Sequence, residues 1–218
     1  MRRVLIRVSY DGTGFSGYQR QVSERTVQAV LEDALEALHQ RPVGTIAAGR
    51  TDAGVHATGQ YVSFDTDRMT IGMREMPAAI NSRLPVDVRV LSAREVPPEF
   101  HARFDARLRH YRYRLVVGTY TLPHLRAYAW YVRGTPDVDR LNADAAAFVG
   151  THDFTTFAAR RKEQTSMVRT VRYSHWRRNG EYLEFAIGAD GFLWHMVRSI
   201  VGTLMERERS RLRGEPPE

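Results

Sequence analysis

The chain has 218 residues, 43% hydrophobic and 26% charged, with 32 Lys plus Arg against 25 Asp plus Glu, a net charge of +7 and no Cys. That apolar content excludes a disordered polyelectrolyte, and the lack of Cys excludes a disulfide framework, a thiolate metal site and a Cys nucleophile. The basic surplus, carried by 31 Arg and the single Lys162, points to a polyanionic partner, most often nucleic acid, which Arg grips through a planar, bidentate fork.

The N-terminal segment Val4-Leu5-Ile6 is interrupted by Arg7. It is too short for a signal peptide, and no apolar run reaches the roughly 18 residues of a membrane helix, so a cytoplasmic protein is expected. Residues 3–10 alternate, with Val4, Ile6, Val8 and Tyr10 on one face, which predicts a strand. Asp11-Gly12-Thr13-Gly14 is turn chemistry, and its G-x-G alone is a weak phosphate-loop signal. Apolar residues at 27, 30, 31, 34, 35 and 38 predict a helix with Thr26 as its N-cap. Strands are predicted over 60–64, 86–91 and 109–117, and a short one over 127–132. The 109–117 strand carries Tyr111, Tyr113, Leu115 and Val117 on one face and His110, Arg112 and Arg114 on the other.

A second helix is predicted over 138–149, capped by Asp137, then strands over 168–176 and 181–187 and a last helix over 192–207. Helices are interspersed with consecutive strands, which predicts an α+β fold with mostly antiparallel pairing rather than a doubly wound parallel sheet. Two halves are expected, 1–104 and 105–218.

Three features carry chemistry. The polar loop Gly49-Arg50-Thr51-Asp52-Ala53-Gly54-Val55-His56 places glycines on both sides of Asp52, which could aim a carboxylate into a cleft. On the loop's own sequence an Asx-turn is the stronger reading. Arg198 falls in an apolar helix pattern and on one face with His195 and Gly202. There it either neutralises an acid or runs its stem along the surface to water. The 109–117 strand sets aromatics beside an Arg row: Tyr111 and Tyr113 are either core residues, the commoner role for a lone Tyr, or part of the pattern of proteins that stack unpaired RNA bases. The eight His are scattered without metal-ligand spacing, and no nucleotide-binding loop or Ser-nucleophile motif occurs.

Taken together, several segments resemble the tRNA pseudouridine synthase A family. They are Tyr10-Asp11-Gly12-Thr13-Gly14-Phe15-Ser16-Gly17-Tyr18-Gln19-Arg20-Gln21, Gly49 through Ala57, Phe100-His101-Ala102-Arg103-Phe104, Tyr111-Arg112-Tyr113, Gly150-Thr151-His152-Asp153-Phe154 and His195 through Gly202. The resemblance implies a pseudouridine synthase fold of two α/β halves around a basic cleft. It further implies a cofactor-free, metal-free homodimer that isomerises uridine to pseudouridine in the anticodon stem-loop of tRNA. On the matching positions, Asp52 stands for the catalytic aspartate and Arg198 for the arginine that pairs with it. Tyr111 stands for the tyrosine that stacks on the target base, and Arg50, His56, Arg20, Gln21 and His195 are expected to bind substrate.

The chemistry suits these types. Extruding the uridine costs a few kcal/mol, which stacking on Tyr111 can offset. A carboxylate nucleophile must be ionised, which a neighbouring Arg favours. The chain departs from the family pattern at Trp194, Ser199 and Glu163-Gln164, and it stops at Glu218 where relatives normally continue to a further helix and strand. The alternative expectation is therefore a shortened relative that binds or remodels tRNA without efficient turnover.

Overall fold

A computed structural model describes residues 1–120, 122–159 and 166–213. Contacts divide the chain into two compact units, with the boundary between Ala106 and Arg107.

The first unit holds strands β1 (Arg2–Tyr10), β2 (Ile46–Ala47), β3 (Ala57–Thr66) and β4 (Val88–Val96) and helices α1 (Val27–His39) and α2 (Met76–Asn81). The sheet order is β2-β3-β1-β4 with every neighbour antiparallel. The alternation of β1 sends Val4, Ile6 and Val8 into a core shared with Leu31 and Leu35 of α1, Met76 and Ile80 of α2, and Val62 and Phe64 of β3. Each such side chain contributes about 1.5–3 kcal/mol by leaving water. Leu5, on the other face of β1, is also buried, in a small cluster with Val96 and Ala102. α1 starts where the sequence predicts, with the Thr26 hydroxyl accepting from the Ala29 amide. It ends at Gln40 in the left-handed conformation, φ 60°.

The second unit holds strands β5 (Arg109–Val117), β6 (Trp130–Val132), β7 (Gly150–Asp153), β8 (Val168–Asn179) and β9 (Tyr182–Ala189) and helices α3 (Val138–Ala146) and α4 (Met196–Leu212). The order is β6-β5-β9-β8-β7, antiparallel except for β5–β6. Tyr111, Tyr113 and Leu115 of β5 face a core built from Leu183, Phe185 and Ile187 of β9, Leu141 of α3, and Ile200, Val201 and Leu204 of α4. The helices are tied together by Glu208 of α4, which is buried and accepts from the Asp137 amide at 2.9 Å. Arg211 adds a bidentate pair to Asp144 at 2.7 and 3.0 Å.

The fold is α+β with predominantly antiparallel sheets, as expected. Among the described residues no helix is long and apolar enough to cross a membrane. The strand predicted over 127–132 is shorter, Trp130–Val132, and pairs in parallel. The last helix begins at Met196 rather than 192, because His195 takes a left-handed backbone, φ 65°. His195, Arg198 and Gly202 therefore do not form one helical stripe: His195 lies outside the helix. Glu163-Gln164 lies outside the described residues.

Candidate active site

The loop that carries Asp52 is built by topology. β1 and β3 pair antiparallel, so the end of β1 lies beside the start of β3, with Tyr10 opposite Ala57 across a register shift. The loop leaving β1, residues 11–18, is thereby set against the loop entering β3, residues 49–56. Four hydrogen bonds join the end of β1 and its loop to the second loop. Tyr10 Oη and Thr51 Oγ1 are 2.8 Å apart. The Tyr18 amide donates to the Thr51 carbonyl at 2.9 Å, and the Gly54 amide to the Phe15 carbonyl at 3.3 Å. The Gly12 amide donates to His56 Nδ1 at 3.0 Å. Asp11 Oδ1 lies 3.1 Å from the same nitrogen. Gly12's donation requires a lone pair on Nδ1, which places the ring proton of neutral His56 on Nε2.

Glycine is required at two of these contacts. A Cβ on Gly12 would sit 2.1 Å from the Val55 carbonyl oxygen. Gly17 has φ 99°, and a Cβ there would sit 3.0 Å from the Thr51 carbonyl oxygen. Buried Phe15 and Tyr18 anchor the first loop, and Arg25 covers the Phe15 ring at 4.0 Å while pairing with Asp87 at 2.8 and 3.0 Å. Within the Asp52 turn, the Val55 amide donates to the Asp52 carbonyl at 3.2 Å, and Gly54 takes φ 75°. Asp11 makes an Asx-turn of its own: its Oδ1 accepts from the Thr13 amide and hydroxyl at 2.9 and 2.7 Å. The Asp11–Gly14 loop is thus a brace for the Asp52 loop rather than a phosphate cradle. Asp52 is partly exposed and Arg50 exposed.

Arg20 and Gln21 leave the same brace. The Arg20 guanidinium donates to Glu32 at 2.9 Å, Asp33 at 2.7 Å and the Ala29 carbonyl at 3.1 Å, so it is held on α1. Gln21 donates to the Ser16 carbonyl at 2.9 Å.

In the second unit Tyr111 lies near the start of β5, its ring meeting Phe192 edge-on with centroids 4.8 Å apart. Phe192 begins the segment that leads through Trp194 and His195, whose rings are 4.3 Å apart, into α4. Arg198 is the third residue of α4 and is exposed. A Cβ at Gly202 would meet nothing within 4 Å among the described residues, so no close backbone approach needs that glycine. Among the described residues no cluster of His, Asp or Glu could hold a metal ion.

Tyr10, Asp11, Gly12, Gly17 and Thr51 carry the loop geometry and were not singled out by residue-level reasoning. The signal available was two Gly-rich polar loops flanking predicted strands. It becomes legible only once β1 and β3 are known to pair.

A family model described as tRNA pseudouridine synthase matches residues 6–105 and 145–216. Proteins named tRNA pseudouridine synthase A are similar over nearly the whole chain. That of Halalkalibacterium halodurans is 44% identical over 207 residues, covering 94% of this chain and 78% of the relative. That of Bacillus pumilus is 44% identical, covering 94% and 83%. That of Treponema pallidum, strain Nichols, is 42% identical, covering 97% and 77%.

Proposed function

The chain belongs to the tRNA pseudouridine synthase family, and on that premise we propose that it converts uridine to pseudouridine in the anticodon stem-loop of tRNA with Asp52 as nucleophile. The observation that carries the assignment of Asp52 is the brace. The end of β1 and its loop spend two glycines and four hydrogen bonds on fixing the backbone around one partly exposed carboxylate. Holding a reacting group in place in this way converts binding into rate.

The remaining roles are those the family resemblance implies. Tyr111 is the stacking partner of the extruded uracil, its ring already steadied by Phe192. Arg198 serves as the cation that favours the charged form of the nucleophile. Arg50, exposed two residues before Asp52, contacts the RNA backbone, and His56, Gln21 and His195 border the substrate. Arg20 reaches RNA only by leaving Glu32 and Asp33. The glycosidic C–N bond breaks, the base turns and C5 bonds to the sugar; the proton lost from C5 is matched by one taken up at N1, and the bond that Asp52 forms is broken again before product leaves, so the product is an isomer and no nucleotide or redox cofactor is consumed. A cytoplasmic homodimer completes the reading.

The test incubates the protein with unmodified tRNA transcripts and maps pseudouridine chemically. Product in the anticodon arm is expected. Binding without any pseudouridine would overturn the assignment.

A further inference from the structure

β5 has two faces, and the proposed reaction uses one. Tyr111 looks toward the core side, whereas His110, Arg112 and Arg114 look the other way. The register extends that outer face across three strands. His110 stands opposite Gly188 of β9, which stands opposite Tyr173 of β8. Arg112, Ala186 and His175 form the next row, and Arg114, Glu184 and Arg177 the third. The central strand contributes almost no side chain in the first two rows, so the flanking groups close over it. A Cβ on Gly188 would lie 2.4 Å from Tyr173 Cε1, which means the tyrosine ring lies across the strand.

The rings are linked. Tyr173 Oη and His110 Nδ1 are 2.6 Å apart, with the two rings stacked at 27° and 5.8 Å. His175 follows at 5.5 Å from Tyr173. Burial pushes the Tyr173 phenol pKa up although the Arg112 charge works against it, so the hydroxyl keeps its proton. The third row is self-satisfied: Glu184 is fully buried and takes both Arg114 and Arg177. Arg112 differs. It is exposed, and among the described residues no carboxylate pairs with it.

An ordinary solvated sheet face mixes acids and bases. Here the only acid across the three rows is covered by two arginines, and an open Arg stands among stacked imidazole and phenol rings. We propose that this outer face is a second tRNA contact, which holds backbone phosphates through Arg112 and His175 beside the Tyr173–His110 plate, on the opposite side of β5 from Tyr111. The inference rests on the tRNA-modifying reading above. Phosphate binding by such groups positions RNA without reading sequence. A second copy of the chain is the poorer occupant, because a two-fold contact would set Arg112 against the same basic rows.

The experiment measures tRNA-transcript affinity against salt for wild type, for R112Q/H175Q and for Arg112→Glu, with mass by light scattering and folding by thermal melting. Loss of one or two phosphate contacts should lower the slope of log K against log salt by about 1–2 and weaken binding on the order of tenfold. Arg112→Glu should weaken it further. Folded variants with wild-type affinity and slope would overturn the inference while leaving the functional reading intact. A fall in mass would overturn it too, by assigning the face to a second copy. Wild type that fails to bind tRNA would instead sink the functional reading itself.

Discussion

Gly12 and Val55 meet at a distance that forbids any side chain on the glycine: a Cβ would stand 2.1 Å from the Val55 carbonyl oxygen. The obstacle is backbone, so relief requires one loop to move away from the other. Gly12→Ala is therefore expected to displace the Asp52 loop. The cost is about 1–3 kcal/mol in unfolding free energy by overpacking. A shift approaching 1 Å would lower turnover by on the order of 100-fold. Chemical denaturation and a single-turnover assay measure the two effects; wild-type turnover in this variant would show the brace to be dispensable.

The brace also defines what Asp52 substitutions should do. Asp52→Asn keeps the shape of the side chain and removes the carboxylate. Pseudouridine formation is expected to fall by more than about 1,000-fold while tRNA affinity changes little. Filter binding beside chemical mapping separates the two, and residual turnover near wild type would remove Asp52 from the mechanism.

Much of this was readable from residue order, for identifiable reasons. β1, α1 and β5 have long, clean periods, and Thr26 marks the first turn of α1. β2 has two residues and α2 has six, too few to display a period, and the Glu75 N-cap of α2 makes no side-chain capping bond. The start of α4 was misplaced because Phe192 and Leu193 continue the apolar pattern, while the left-handed backbone of His195 has no signature in composition. Asp52 was singled out by motif, but the loop that braces it was not, since Gly12 and Gly17 act across a strand pairing that local sequence does not encode.

Tyr111 should separate binding of the base from the remaining chemistry. Stacking is worth about 1–3 kcal/mol, so Tyr111→Ala is expected to weaken productive binding by roughly 5- to 150-fold, and Tyr111→Phe should restore most of it. Because the ring also touches Phe192, the alanine variant loses packing as well. Rescue by phenylalanine is the decisive comparison; failure to rescue would point to the hydroxyl rather than the ring.

Arg198 gives the opposite stability expectation from a buried pair. It is exposed in the first turn of α4, and exposed ion pairs are worth less than about 1 kcal/mol. Arg198→Ala should melt within a few degrees of wild type yet lose most of its turnover. A large loss of stability would mean that the arginine is structural.

Glu184 is where the electrostatics of the second unit are concentrated. Its carboxylate is fully buried between Arg114 and Arg177, whose side chains are 40% and 49% exposed, and it also accepts from Asn179 at 3.0 Å. Burial alone would push its pKa up; the bonds from Asn179, Arg114 and Arg177 outweigh that and hold it below the ordinary glutamate value. A depressed folded pKa means that the stabilisation is present above the unfolded value, near 4.3, and is lost as pH falls through the folded one. Thermal stability should therefore drop on acidification below about pH 4.5, and less so in Glu184→Gln. The two sides of the cluster are unequal. Removing the acid leaves two arginines that can turn to water, at about 1–3 kcal/mol. Removing both arginines strands a buried charge, at about 3–5 kcal/mol. Denaturation of Glu184→Gln and of R114A/R177A at neutral pH tests the asymmetry, and equal losses would show that the carboxylate reaches solvent in the folded protein.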